Sequence, residues 1–171
     1  MKKIIVFTAV CLSVIVISCG GPKEQEALVA PPGMQYIDIS RTGMNMNVLI
    51  PDSTKGELDT VLQTYGTYEI KRGAFQIAIT EDGGDVTSKK ADNANDDVNK
   101  VKQYIVDEPN TLLWESGIGD LSEFHFFYSV KFGERTFVFE DIKGDAFTKE
   151  DVQKMLDACK ATKEIVKEVK S

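Results

Sequence analysis

The segment from Phe124 to Phe132 constrains the fold more than any other part of the chain. Phe124, Phe126, Tyr128, Val130 and Phe132 alternate with His125, Phe127, Ser129 and Lys131. A period of two places alternate side chains on opposite faces of a strand, whereas a helix would scatter the five large apolar groups around its circumference. Gly133-Glu134 then turns the chain into a second strand over Arg135 to Ile142. A hairpin with so apolar a face belongs at the centre of a sheet and needs a helix laid over it. The chain supplies one directly afterwards. Thr148 is an N-cap with Asp151 three residues on, and Phe147 with Val152 forms a hydrophobic staple. Val152, Met155, Leu156, Cys159, Thr162 and Val166 continue as a stripe at helical spacing.

Other stretches extend the same pattern. Gln35 to Ser40 and Met44 to Ile50 read as strands joined around Thr42-Gly43, and Pro51-Asp52 ends the second. Residues 53–67 are ambiguous. Tyr68 to Lys71 and Phe75 to Thr80 form a hairpin across Arg72-Gly73, and Leu112 to Ser116 is a further strand. Ala94, Val98, Val101 and Ile105 lie at spacings of four, three and four, which predicts a helix from Asn93 or Asn95 to Val106, stopped by Pro109. The expected fold class is α+β, an antiparallel sheet of five to seven strands with two amphipathic helices packed against it. With 171 residues, 42% hydrophobic and 27% charged, residues 34–171 suffice for a single globular domain without a disulfide framework.

The N-terminal part reads differently. Lys2 and Lys3 precede an apolar run from Ile4 to Ile17, too short for a stable membrane span and the right length for the core of a secretory signal. Val16-Ile17-Ser18-Cys19 resembles the lipobox of bacterial lipoproteins. That resemblance implies a signal peptide over residues 1–18, cleavage between Ser18 and Cys19, and lipidation of Cys19, so that the membrane is a partner through the lipid anchor. Gly20 to Gly33, GGPKEQEALVAPPG, then reads as a tether, which with Cys19 makes up residues 19–33. Gly20 stands where the enteric family carries an inner-membrane retention aspartate, so the resemblance implies the outer membrane of the bacterial cell envelope. Lys23-Glu24 is faintly similar to surface-export signals of Bacteroidota lipoproteins, which leaves the periplasmic and exposed faces both open. Without Lys2 and Lys3 the balance is 18 basic against 27 acidic residues, a net charge of −9. So acidic a domain repels nucleic acid, which is excluded as a partner.

Few residues carry chemistry. His125 is the only histidine, which excludes a histidine pair or a His-rich metal site. As a general base it needs a nucleophile beside it, and strand alternation sets it opposite the aromatic face, where it reads as a cross-strand residue. Trp114 shares a strand face with Leu112 and reads as core, with a ligand platform as the alternative. Cys159 lies on the apolar stripe and reads as a buried thiol, with no intramolecular disulfide expected. Glu81 to Asp85 and Asp92 to Asp97 are acidic enough to suggest calcium, but neither follows the EF-hand pattern, and turn and capping roles account for them better. Gly117-Ile118-Gly119 lacks the context of a phosphate loop, and Glu140-Asp141, adjacent in sequence, should point to different faces. No cofactor is expected.

The order of elements, with a strand ending at Ile50-Pro51 and the late run FVFEDIKGDAFTKEDVQKMLDA, resembles the α/β/α sandwich of the PsbP-like superfamily. That resemblance implies a binding or accessory module. The leading expectation is therefore a membrane-anchored envelope lipoprotein that binds a protein or small ligand without catalysis. An acidic immunity or inhibitor lipoprotein directed at a basic enzyme, and a small hydrolase using His125, are the alternatives.

Overall fold

A computed structural model describes residues 28–117 and 119–166. Ser18, Cys19 and the apolar run before them lie outside these residues. Met34–Asp38 (β1) and Met46–Pro51 (β2) pair antiparallel across a single turn of 3-10 helix at Ser40–Thr42. Asp59–Leu62 (β3), Tyr68–Arg72 (β4) and Phe75–Glu81 (β5) follow as an antiparallel meander, which settles part of the ambiguous 53–67 stretch as strand. Val86–Ala94 (α1) leads into Lys100–Glu108 (β6), Thr111–Gly117 (β7), Glu123–Phe132 (β8) and Arg135–Asp141 (β9). Lys149–Lys160 (α2) and the short Lys163–Glu164 (β10) complete the described elements.

Seven strands form one antiparallel sheet in the order β3-β4-β5-β9-β8-β7-β6, and β1-β2-β10 form a second, three-stranded sheet. The α+β class, the two helices and the seven-stranded antiparallel sheet agree with the expectation from sequence. β9 occupies the middle position, so the aromatic hairpin is the centre of the sheet. Its face carrying Phe126, Phe137 and Phe139 packs beneath Val152, Met155, Leu156 and Cys159 of α2 and against Met46, Val48 and Ile50 of β2. Each fully buried ring contributes roughly 1.5–3 kcal/mol through area removed from water. The alternate residues of the same strands, Phe127 and Val138, join Leu112 and Trp114 in a smaller cluster on the opposite face, where Val86 of α1 rests.

Two expectations from sequence are corrected. The helix expected from Asn93 or Asn95 to Val106 is not formed. α1 ends at Ala94, Val98 is 63% exposed, and Val101 and Ile105 belong to β6. The reason is local. Asp85 and Ser88 make a reciprocal capping box that starts the helix early, and the Asp96 carboxylate takes the Val98 and Asn99 amides into a turn. β6 then pairs with β7 through irregularities between Val101 and Gln103 and between Tyr104 and Val106. Each bulge shifts the alternation by one residue, so Val101 and Tyr104 face the smaller cluster while Ile105 and Val106 face the larger. A bulged strand thereby imitates helical spacing. The second correction concerns α2. Its stripe stops at Cys159, the Ala161 amide closes the helix on the Asp157 and Ala158 carbonyls, and Val166 is 70% exposed beyond β10.

The end of the segment read as a tether touches the fold. Ala30 packs against the large cluster, and the Gly33 carbonyl accepts a hydrogen bond from the Asp52 amide.

Candidate functional site

On the face of the smaller cluster, α1, the turn after it and the ends of β7, β8 and β9 surround a cleft of about 420 Å³. Its centre is His125. The β7–β8 register sets His125 directly opposite Trp114, and the two rings lie 5.3 Å apart, tilted by 33°. Ser116, two residues along β7 on the same face, brings its Oγ to 3.0 Å from His125 Nε2. On the other side of the ring, Asp141 Oδ2 lies 2.8 Å from Nδ1.

Asp141 reaches His125 because it occupies the end of β9. The last β8–β9 pair is Phe127 with Glu140, and beyond it the Asp141 carboxylate takes the place of a ladder carbonyl, its Oδ1 accepting from the Phe126 amide at 2.8 Å. Glu140 and Asp141 therefore both line the cleft, contrary to the expectation that adjacent residues would face opposite ways. Alternation fails at this point because the side chain has turned into the plane of the sheet.

The hydrogen-bond order fixes the imidazole. An ionised carboxylate only accepts, so Nδ1 carries a proton toward Asp141, and in the neutral ring Nε2 is left to accept the Ser116 hydroxyl proton. Serine, histidine and aspartate thus stand in the sequence of contacts used for nucleophilic catalysis. Ser116, however, is only 1% exposed, sealed beneath its neighbours.

Charge surrounds this centre. The Lys89 ammonium lies 5.5 Å from the centroid of the Trp114 ring and forms an ion pair with Glu140. Asp92, Asp96, Glu123, Glu140 and Asp141 line the cleft against only Lys89 and Lys143 as permanent cations. The Asp96 carboxyl is held below the usual carboxylate range by the amides of Asn99 and Val98. The Asn93 side-chain nitrogen is buried and has no hydrogen-bond partner.

Of the residues singled out from sequence, Trp114 and His125 come together here, and Trp114 is buried rather than displayed, at 5% exposure. Cys159 is buried on the opposite face, where desolvation raises its thiol well above the ordinary value. Glu81 pairs with Arg135 and Asp85 caps α1. Among the described residues no group of three His, Cys, Asp or Glu side chains is placed to hold a metal ion. Ser116, Lys89 and Glu140 were not recognisable as site residues from sequence, since β-sheet register places Ser116 and Glu140 and the packing of α1 over that face brings in Lys89. No helix among the described residues is long and apolar enough to cross a membrane. The sequence matches no protein-family model and no curated protein.

Proposed function

We propose that this chain is a lipid-anchored bacterial envelope protein whose domain binds a small cationic ligand in the His125 cleft and performs no chemistry on it. The observation that carries the binding reading is Lys89. Its ammonium is held over the only tryptophan of the sequence and against Glu140. A cation over an indole face beside a carboxylate is a favourable arrangement, and a ligand amine can replace Lys89 in it. The surplus of carboxylates around the cleft attracts such a ligand and disfavours anions. The anchor reading rests on Ser18 and Cys19, with the outer membrane as the site of attachment. The PsbP-like resemblance, carried by the sequence run FVFEDIKGDAFTKEDVQKMLDA, implies the same kind of binding module.

The single tryptophan makes the test direct. Titration of the full chain with the diamine cadaverine should give a saturable change in Trp114 fluorescence that uncharged pentanediol does not give and that Glu140→Gln weakens. An unchanged spectrum at saturating diamine refutes the site. The anchor is tested separately: Cys19→Ala should abolish acyl labelling, and continued labelling would overturn it.

The Ser116–His125–Asp141 order favours a second reading, a hydrolase with Ser116 as nucleophile. A buried hydroxyl should resist a fluorophosphonate, so the mass of the chain should not change. A covalent adduct on Ser116, lost in Ser116→Ala, would replace the binding reading with the hydrolytic one.

A further inference from the structure

On the other side of the molecule, where α2 meets β2 and the β4–β5 turn, a groove of about 760 Å³ is lined by Met34, Leu49, Phe75, Met155 and Ala158. Such a volume accommodates a small organic ligand. Arg72, the last residue of β4, is set into its wall at 6% exposure. Its Nη1 donates to the Pro51 carbonyl at 2.6 Å, while its Nε is buried without a partner.

Guanidinium cannot discharge itself by losing a proton, and a buried charge is ordinarily matched by an opposite one. Among the described residues no carboxylate forms that ion pair. Asp52, near enough to feel the charge of Arg72, is turned to the amide and hydroxyl of Thr54. Asp151 and Asp157, also at the groove, accept from Thr148 and Gln153 on their own helix. Lys55 and Lys154 stand at the edge of the groove, and with Asp52, Asp151 and Asp157 each turned to other donors, the Arg72 Nε is left without an acceptor.

We propose that Arg72 anchors the carboxylate of an amphiphilic monoanion of the fatty-acid class, whose aliphatic chain lies along the apolar groove. A carboxylate oxygen supplies the acceptor that the buried Nε lacks, in a charge-assisted hydrogen bond. The apolar residues of the groove, Met34, Leu49, Phe75, Met155 and Ala158, suit an aliphatic chain.

Octanoate is the probe, and methionine methyl resonances of the full chain are the readout. Met34 and Met155 line the groove, whereas Met44 and Met46 are buried away from it and serve as controls. Octanoate should shift the Met34 and Met155 methyls saturably, with octanol and acetate at least about tenfold weaker, since each lacks one half of the recognition. Arg72→Gln should weaken octanoate about tenfold or more, with Met44 and Met46 unmoved to show that the fold persists. Ala74→Trp, at an exposed position in the groove wall, should block octanoate without touching Arg72. Equal binding of octanol and octanoate, an unaffected Arg72→Gln variant, or no shift at Met34 and Met155 overturns the proposal. Binding that appears only after deletion of residues 20–27 also overturns it, because the groove is then filled by the chain's own segment.

Discussion

The two faces of the seven-stranded sheet are made by alternate residues of the same strands, yet they differ sharply. One face is roofed continuously: Phe126, Phe137, Phe139, Ile77 and Ile79 are buried beneath α2 and β2. The other has a buried apolar cluster of only Leu112, Trp114, Phe127 and Val138 among the described residues, and α1 above it contributes no buried residue of its own. A fully covered face stores stability. A partly covered one leaves room for a cleft, and the polar residues that line it must then be satisfied by one another, as Ser116, His125 and Asp141 are.

Removing neighbouring rings should separate the two faces most. Phe126 and Phe127 are adjacent, both nearly inaccessible, and point to opposite faces. Phe126→Ala should cost about 4–5 kcal/mol in urea unfolding and Phe127→Ala about 3, because the smaller cluster borders a cleft into which neighbours can relax. Equal losses would show that the faces are energetically alike. Next in size is Asp141→Ala, which strands the Phe126 amide and frees His125. About 2–3 kcal/mol should be lost, with part recovered in Asp141→Asn, which keeps one acceptor.

The helices give a smaller contrast. Thr148→Ala removes the cap of a helix that buries Val152, Met155 and Leu156, and should cost about 1 kcal/mol. Asp85→Ala removes the cap of α1, which has no fully buried residue, and should lower global stability by under about 0.5 kcal/mol while fraying α1 in hydrogen exchange. The smallest effect concerns acid. Glu81 is lowered from 4.5 by the hydrogen bond from Arg135, Asp85 from 3.8 by the Ser88 amide, and Asp96 from 3.8 by the Asn99 amide. A depressed folded value means stability that is fully present above the unfolded value and lost as pH falls through the folded one. Tm should therefore be flat between neutral pH and about 5 and decline below about 4, modestly because Asp85 and Asp96 are exposed and Glu81 is half-buried at the surface. A decline beginning near neutrality would point to a different group.

Much of the fold was legible wherever a pattern was local. The Tyr68 to Thr80 and Phe124 to Ile142 hairpins follow from alternation and glycine turns, and the start of α2 from Thr148, Asp151 and the Phe147–Val152 staple. Where geometry departed from the regular period, the reading failed. The bulges of β6 turned a strand into an apparent helix, and β10 ended the stripe of α2 early.

By itself the sequence determined the fold class, the central hairpin, the capped helix over it and the Ser18-Cys19 pattern from which the anchor is read, because each is carried by residues within one or two turns of each other. Only the tertiary structure decided that Ser116 and Asp141, nine and 16 residues from His125, flank one imidazole. It also decided that Arg72, its Nε buried without a partner, lines the same groove as Met155, far along the chain. Register and burial are properties of paired strands and packed layers, and no single segment contains them.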